Sequence, residues 1–433
     1  MKYYSTNRQS ALVDFREATI EGLAPDKGLY FPEAIPQIDP HMIENIKSYS
    51  NVDIAFNVMK PYVEGALPDG ELLRIVAESI SYEFPLVTIN DRIASLELFH
   101  GPTFAFKDLG ARFMSRCLGY FAQDASQKMT VLVATSGDTG GAVASGFYDV
   151  SGVEVVILYP SGKVSNVQEK QLTSLGKNVY ALEVQGNFDD CQRLVKEAFA
   201  DTALRAQRFL TSANSINVAR WLPQQLFYFF AYKQWQDKGE APVVAVPSGN
   251  FGNICSGMLA NLAGLPIKKF VVACNANDAV PAYLLSGEYS PKETISTISN
   301  AMDVGNPSNF VRILELYRNS YERIKQNMVG YSISDEVTRD TIRSVSDRYG
   351  YWLDPHGAVA YKALEQYLGE HPAESGIILE TAHPVKFDSG VEVEQALPAE
   401  LAEKVALLLK SEKHSTIIGP VYDELKAFLL ESR

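Results

Sequence analysis

The sequence has few cysteines, no long apolar run and no excess of basic residues, and each of these absences excludes a class of protein. The four cysteines among 433 residues show no CxxC spacing, which excludes both a zinc-ribbon pattern and the framework of a disulfide-rich domain. No apolar run approaches the roughly 18 residues that a helix needs to cross a bilayer. The chain has 52 acidic and 39 basic residues, for a net charge of −13. This balance argues against general binding to nucleic acid or to anionic membranes.

Three further patterns are missing. The six histidines are scattered, without an HExxH pair or a clustered ligand set, so no catalytic metal is expected. The glycine-rich turns do not follow GxGxxG, which disfavours a dinucleotide enzyme. The N-terminal residues MKYYSTNRQSALVDF contain no apolar stretch of the kind found in signal peptides. We therefore expect a cytoplasmic protein with reduced, mostly buried thiols.

What the sequence does contain, from Lys128 onward, is an alternation of strand-like and helix-like segments. The runs Met129–Ala134 and Val153–Leu158 are rich in β-branched residues and typical of buried parallel strands. A second series follows between Val243 and Cys274, and Gly376–Leu379 returns as a strand. Strands that alternate with helices predict an α/β fold with parallel sheets.

The chain divides into three predicted regions. Apolar residues at helical spacing between Ile43 and Ser81 predict a small N-terminal helical cap over residues 1–91. Residues 92–222 form a smaller α/β domain, and residues 223–433 form a larger one that includes C-terminal helices. No Pro/Gly/Ser-rich linker separates the two α/β domains, so we expect them to pack closely with a cleft between them.

A single lysine, Lys107, ends the apolar run Phe104-Ala105-Phe106. A charged ammonium is costly to bury, so desolvation lowers the pKa of a lysine and favours the neutral amine. A neutral amine can attack a carbonyl carbon and form a Schiff base. The alternative is that Lys107 opens a helix and points to solvent. From this stretch alone, the two interpretations are equally good.

Two glycine-rich stretches follow predicted strands and open predicted helices. The stretch Ala134–Gly141 (ATSGDTGG) places N–H groups and hydroxyls at a helix N-terminus, a position that favours anions. Its polar residues could instead be ordinary helix caps. In the stretch Pro247–Asn253 (PSGNFGN), two glycines let the backbone approach an anion closely. The alternative there is a tight strand-to-helix turn.

Two more stretches combine polar groups with a helix start. In Asn214–Arg220 (NSINVAR), a guanidinium lies close to a predicted helix N-terminus, where the two can hold a phosphate together. The alternative is a capped helix with a solvated arginine. In Glu380–Phe387 (ETAHPVKF), Thr381 directly follows a predicted strand and could be a helix cap. His383 in the same stretch is better interpreted as a hydrogen-bonded structural residue than as a base.

The run HGPTFAFKD, from His100 to Asp108, resembles the pyridoxal-phosphate (PLP) attachment site of threonine synthases, which belong to the tryptophan-synthase-β-like group of enzymes. The likeness extends from the N-terminus, where GLYFP resembles the bacterial and fungal type, to about Phe387. It implies the type II PLP fold, with two α/β domains, a cleft between them and the N-terminal cap. It also makes Lys107 the Schiff-base lysine and the residue that carries protons during the reaction.

The same resemblance implies roles for the other stretches. The PLP phosphate is expected on the loop of Gly249, Asn250, Phe251, Gly252 and Asn253, and the pyridine nitrogen on Thr381. Asp138 is expected near the phenolic oxygen of PLP, where many relatives have asparagine and where a carboxylate would repel an anionic oxygen. The residues implied for the substrate are Ser136 and Thr139 for its carboxylate, and Asn214, Ser215 and Arg220 with added charge from Lys163 for its phosphate.

The implied activity is that of a PLP-dependent carbon–oxygen lyase acting on a phosphate ester. It converts O-phospho-L-homoserine and water to L-threonine and phosphate, as the last step of threonine biosynthesis. The expected partners are this small substrate and, at most, a second copy of the chain, so the protein is expected to be a monomer or homodimer. The rival interpretations are a dehydratase or β-replacement enzyme of the same fold, which needs no pocket for a substrate phosphate, and a non-catalytic binding protein.

Overall fold

The computed structural model describes residues 1–124, 128–235, 239–387, 390, 397 and 399–431. The strands are β1 Tyr3–Ser5, β2 Tyr30–Pro32, β3 Leu86–Thr88, β4 Ile93–Glu97, β5 Met129–Ala134, β6 Val153–Pro160, β7 Val179–Val184, β8 Phe209–Thr211, β9 Val243–Pro247, β10 Lys269–Cys274, β11 Met328–Ser332, β12 Gly376–Glu380 and β13 Thr416–Ile418.

The first ten helices are α1 Phe15–Glu21, α2 Pro40–Glu44, α3 Asn51–Val63, α4 Asp69–Ser79, α5 Lys107–Phe121, α6 Asp138–Phe147, α7 Asn166–Thr173, α8 Phe188–Ala200, α9 Thr202–Arg205 and α10 Val218–Trp221. The others are α11 Gln225–Trp235, α12 Gly252–Leu262, α13 Ala279–Ser286, α14 Phe310–Leu316, α15 Tyr321–Asn327, α16 Asp335–Tyr349, α17 Pro355–Glu370, α18 Ala399–Lys410 and α19 Tyr422–Leu430. None of the described helices is both long enough and apolar enough to cross a membrane.

Two sheets organise the molecule. The larger has six strands in the order β11-β10-β9-β12-β4-β3, and the smaller has five in the order β13-β7-β6-β5-β8. All pairs in the two sheets are parallel except β3 with β4. Strands β5, β6, β9 and β12 are buried along their whole length, as expected for parallel strands covered on both faces. The predicted α/β fold is confirmed.

The regular β-branched segments were predicted well, and the irregular ones were not. Strand β5 has the predicted bounds. Strand β4 (IASLE) was missed because it is short and contains alanine and serine between its apolar residues, so that no strand period is visible. Strand β11 was also missed. Its residues are only partly buried at the edge of the larger sheet, so it shows no continuous apolar run.

The sheets exchange segments between the predicted regions. Strand β4, just after residue 91, lies in the larger sheet, whereas β13, near the C-terminus, pairs with β7 in the smaller sheet. Helices α18 and α19 pack on α7 and α8 of that smaller sheet. The division at residues 91 and 222 stays a prediction, and sheet membership does not follow it.

Candidate active site

Lys107 is the first residue of α5, at the end of a loop that leaves strand β4. The loop is fastened to the segment that follows β12. The Phe106 N–H donates to the Thr381 carbonyl at 2.8 Å, and the His383 N–H donates to the Phe104 carbonyl at 3.0 Å. These bonds form an isolated antiparallel bridge. Because β4 and β12 are neighbours in the larger sheet, the sheet brings two of the five predicted stretches into contact.

The Lys107 side chain is only 19% exposed, and its ammonium lies 3.8 Å from Asp138 Oδ2. Burial lowers the pKa of Lys107; Asp138 opposes this shift, whereas the positive charges of Lys386 and Arg220 add to it. The interpretation of Lys107 as a solvated lysine is therefore wrong. Its environment is the one that favours a neutral, nucleophilic amine.

Asp138 begins helix α6, directly after strand β5 and Gly137. Burial acts to raise the pKa of the Asp138 carboxyl, but the charges of Lys386 and Lys107 and two hydrogen bonds outweigh burial and hold that pKa far below its usual range. The closest partner is the Lys386 ammonium, at 2.6 Å. Gln168 Nε2 also donates to Asp138, at 3.0 Å. Asp138 is thus an ionised carboxylate inside the protein.

The neighbouring polar residues do not cap α6. The N-cap residue is Gly137, which has no side chain, and it is Thr135 Oγ1 that accepts from the Gly137 and Gly140 N–H groups, at 3.0 and 2.8 Å. Ser136 is exposed and Thr139 is half-buried. The capping interpretation is therefore wrong for Ser136 and Thr139, and both hydroxyls stay available to a ligand at this helix N-terminus.

The predicted phosphate loop lies between β9 and α12. Phe251 precedes α12 with φ of 62° and makes no side-chain cap. Gly249 fits because a Cβ there would lie 2.6 Å from the Met302 Cα. The Asn253 Oδ1 accepts from the Tyr228 hydroxyl at 2.8 Å, but the Asn253 Nδ2 is buried without a hydrogen-bond partner. An uncapped helix N-terminus with a glycine approach and an unused amide donor fits the phosphate of PLP.

Asn250 connects this loop to the predicted substrate stretch. Its Nδ2 donates to Ser215 Oγ at 2.6 Å, and its Oδ1 accepts from the Ser308 N–H at 2.6 Å. Gly252 and Ser215 are also neighbours, since a Cβ at Gly252 would lie 4.0 Å from the Ser215 Cβ. The structure therefore brings the two predicted phosphate-binding stretches side by side.

Arg220 lies in α10 and is only 2% exposed. Its Nη1 donates to the Ala213 carbonyl at 2.5 Å, and its Nε is buried without a partner. Burial lowers the pKa of Arg220 to about 10, although Asp108 opposes the shift. The interpretation of Arg220 as a solvated arginine is wrong. The capped-helix interpretation holds for Asn217, whose Oδ1 accepts from the Ala219 N–H at 2.9 Å.

Thr381 is buried at the end of β12. It does not cap the following 3-10 turn, Pro384–Lys386. That role belongs to His383, whose Nδ1 accepts from the Val385 N–H at 3.1 Å. Burial lowers the pKa of His383 to about 4, against the opposing charges of Glu97 and Asp354. His383 is thus the structural histidine that the sequence predicted.

Two predicted substrate residues lie less centrally. Lys163 is exposed in the turn that follows β6. Within the described part of the chain, no hydrogen bond or ion pair joins its side chain to the other predicted residues. Asn214 is half-buried, and its N–H donates to Ser212 Oγ at 3.3 Å. The role of Lys163 in substrate binding therefore stays a prediction without a contact to support it. Asn214 lies next to Ser215, within the stretch that adjoins the predicted phosphate loop.

Lys386 and Asp354 are residues of the site that sequence reasoning missed. The Lys386 ammonium is fully buried between Asp138 and the Thr103 carbonyl, to which it donates at 2.8 Å. Asp354 caps α17 and also accepts from the Ala382 N–H at 3.2 Å, which holds the segment beside Thr381. The signal for Asp354 was available as an Asp-Pro pair at a helix start. No local pattern marks Lys386.

A cavity of about 1010 Å³ is lined in part by the loop that leads to Lys107. Its walls include Glu97, Phe104, Trp352 and His383, together with residues of α18. The Glu97 carboxylate accepts from the Tyr351 hydroxyl at 2.9 Å and pairs with His100 Nε2 at 2.7 Å.

The described residues contain no group of three or more His, Cys, Asp or Glu placed to hold a metal ion.

Comparison with known proteins gives the same family over the whole chain. Residues 91–380 match the family of pyridoxal-phosphate dependent enzymes, residues 2–80 match the threonine synthase N terminus, and residues 357–429 match the threonine synthase C-terminal family. The chain is 42% identical to the threonine synthase of Buchnera aphidicola over 437 residues, which covers 100% of both chains. It is 42% identical to that of Escherichia coli, over 95% of this chain and 96% of the relative.

Solved structures of threonine synthases have the same fold as this chain. The threonine synthase of Escherichia coli has a TM-score of 0.90 at 40% identity and covers 99% of both chains. The PLP-bound threonine synthase of Brucella melitensis has a TM-score of 0.91 at 34% identity, covering 99% of this chain and 98% of that one.

Proposed function

The chain belongs to the threonine synthase family of PLP-dependent lyases, and we propose that its substrate is O-phospho-L-homoserine, bound by the residues gathered around Lys107. Water and this substrate are converted to L-threonine and phosphate. PLP fits the residues that are present. Lys107 would bond its aldehyde, the loop Gly249–Asn253 would hold its phosphate, and Thr381 would face its pyridine nitrogen.

The observation that carries the proposal is the buried guanidinium of Arg220, whose Nε has no hydrogen-bond partner among the residues that the structure describes. A buried cation without a carboxylate partner is unfavourable unless a ligand supplies the negative charge. The hydrogen bond between Asn250 and Ser215 places this stretch beside the PLP-phosphate loop, so the site can take a second phosphate. Dehydratases and β-replacement enzymes of the same fold act on substrates that need no such pocket.

The chain's own residues then have distinct tasks. Arg220, with Asn214 and Ser215, binds the substrate phosphate and stabilises it as it leaves from Cγ. Ser136 and Thr139, at the N-terminus of α6, orient the substrate carboxylate.

Lys107, as a neutral amine, takes a proton from Cα and passes it to the departing phosphate, and it then takes a proton from Cβ and delivers it to Cγ, which becomes the methyl group. After water has added at Cβ, the proton that water releases returns through Lys107 to Cα. When bound, PLP supplies the electron-withdrawing ring that stabilises negative charge at the substrate carbon.

Mapping of the lysine that carries the cofactor tests this assignment. Borohydride fixes the bond between the amine and the PLP aldehyde, and we expect a single modified peptide that contains Lys107. Lys107→Ala should still retain PLP through the phosphate loop, because that anchor is independent of the lysine. Its turnover should fall by more than the ~10²–10⁴-fold typical of a lost acid–base group, because one amine serves several steps.

The control uses the second buried lysine. A label on Lys386 instead of Lys107 would contradict the assignment, and so would a Lys107→Ala variant with normal turnover. Release of phosphate from O-phospho-L-homoserine, measured beside oxo-acid formation from serine and threonine, separates the proposed activity from that of a dehydratase.

A further inference from the structure

Lys386 connects three parts of the site at one buried point. Its ammonium lies 2.6 Å from the Asp138 carboxylate and donates to the Thr103 carbonyl at 2.8 Å. Thr103 belongs to the loop that leads to Lys107, Asp138 opens α6 beside the smaller sheet, and Lys386 itself follows β12 of the larger sheet. Both side chains of the ion pair are at least 96% buried, with exposed fractions of 0% and 4%.

Such a pair has two consequences for its neighbour. A buried charge pair is rigid, because breaking it leaves an uncompensated charge inside the protein. The pair also acts electrostatically on Lys107. The Lys107 ammonium is 3.8 Å from the same carboxylate that Lys386 neutralises, so Lys107 faces a carboxylate that is already paired with a second ammonium. The remaining charged groups that act on Lys107 are Arg220 and Asp354.

We propose that Lys386 is a positioning residue for the reaction. It pairs Asp138 so that this carboxylate cannot capture the Lys107 ammonium, and it fixes the Lys107 loop against α6. This inference rests on the proposed role of Lys107. It also gives a physical account of why a carboxylate is tolerated at position 138, where an unpaired one would repel an anionic cofactor oxygen: the pair Asp138–Lys386 is neutral as a unit.

The direction of the electrostatic effect follows from the two charges. Removing the Lys386 ammonium takes away a repulsion from the Lys107 ammonium and frees the Asp138 carboxylate to pair with it. Both changes favour the charged form of Lys107 and raise its pKa. The further removal of the Asp138 charge takes away that attraction, so a second substitution should reverse the effect of the first.

The experiment is a double-substitution cycle with Lys386→Met and Asp138→Asn. The full chain, freed of cofactor, is mixed with PLP between about pH 6 and pH 10, a range that brackets ordinary and lowered lysine pKa values. The rate of covalent attachment is followed by absorbance, and its pH midpoint reports the Lys107 amine. We expect Lys386→Met to raise the midpoint by about one unit or more, which is about a tenfold slower reaction at a fixed lower pH. The double variant should return close to the wild-type midpoint.

The matched control is the exposed ion pair between Lys60 and Asp69, whose atoms are also 2.6 Å apart. Lys60→Met and Asp69→Asn should leave the midpoint unchanged. If Lys386→Met does not fold, the double variant, in which both buried charges are removed together, must fold and keep the wild-type midpoint.

An unchanged midpoint in Lys386→Met, or a double variant shifted as far as the single one, would overturn the inference. The proposed role of Lys107 would survive that outcome if borohydride still labels Lys107 in the wild-type chain.

Discussion

Replacement of Arg220 by methionine separates substrate binding from stability, because the structure predicts opposite effects on the two. The guanidinium has five N–H donors. The protein uses Nη1, which donates to the Ala213 carbonyl at 2.5 Å, and leaves the buried Nε without a partner. Methionine keeps most of the apolar stem of arginine and removes the charge. The substitution therefore removes the proposed phosphate contact without opening a large cavity.

The loss of kcat/KM in Arg220→Met can be estimated from these contacts. Hydrogen bonds to charged groups contribute about 1.5–3 kcal/mol each, and truncating one partner of a buried charge pair costs about 2–5 kcal/mol. At 1.4 kcal/mol per factor of ten, kcat/KM should fall by about 30-fold to about 4,000-fold. The free energy of unfolding without substrate should stay the same or rise, because the variant no longer buries a charge without a carboxylate beside it.

Arg312 provides the contrast. It is equally buried and its Nε also lacks a hydrogen-bond partner among the described residues, but its two terminal nitrogens donate to Asn309 Oδ1 at 2.7 Å and to the carbonyls of Tyr30 and Ile216 at 3.0 and 2.6 Å. Arg312→Met leaves three acceptors unpaired, against one for Arg220→Met, so it should destabilise the protein by about 2–5 kcal/mol. The same substitution at two buried arginines thus predicts different signs for stability.

The assays are phosphate release at low substrate and thermal unfolding of the PLP-loaded protein with and without inorganic phosphate. Because the loaded PLP should already occupy the loop Gly249–Asn253 under the proposed assignment, added phosphate should report the second site. Phosphate should raise the melting temperature of the wild-type protein and not that of Arg220→Met. A variant with normal turnover at low substrate, or one as destabilised as Arg312→Met, would refute the reasoning.

Two further substitutions test the geometry around the cofactor. Gly249→Ala places a Cβ 2.6 Å from the Met302 backbone, and such overpacking costs about 1–3 kcal/mol. Titration with PLP should therefore show an affinity about 5-fold to about 150-fold weaker, whereas Gly369→Ala, with no atom within 4 Å of the added Cβ, should bind PLP normally. His383→Asn tests pH dependence. Burial lowers the pKa of His383 in the folded state from 6.5 to about 4, so the unfolded state binds the proton first as the pH falls. The wild-type protein should lose stability between those two pH values relative to His383→Asn, and denaturant unfolding at several pH values measures the difference. Equal pH dependence of the two proteins would show that His383 does not titrate as the structure indicates.

The sequence was sufficient where local chemistry decides the structure. Strand β5 has six consecutive buried residues, and the four in its middle are threonine, valine or leucine. Its bounds were predicted correctly. The loops that follow β5, β9 and β12 were placed correctly because each joins a clear strand to a helix start. The environment of Lys107 was not decided in this way, because its apolar run fits a buried and a solvated lysine equally well, and only the fold shows the side chain to be 19% exposed.

What the sequence could not provide are contacts made by the fold. The partner of Lys386 is Asp138, which lies 248 positions earlier in the chain. Only the approach of the two sheets brings the two side chains together. The burial of Arg220 has the same origin. It lies in a helix of four residues, too short for a periodic pattern to show which side faces the core. Strand β4 was missed although it carries the Lys107 loop, because its identity depends on its neighbours β12 and β3.

The net charge of the whole chain and the charge of the proposed phosphate pocket have opposite signs, and the difference matters for how an anionic substrate binds. The chain carries −13, yet the Arg220 guanidinium is buried in the proposed pocket, while Lys386 is paired with Asp138 beside Lys107. The field of the whole chain acts over distances at which salt screens it, with a Debye length of about 8–10 Å at physiological ionic strength. The buried cations act at a few ångströms and are screened much less. A phosphorylated substrate is therefore repelled weakly at long range and held strongly once inside, so that affinity depends on the pocket and not on steering by the surface.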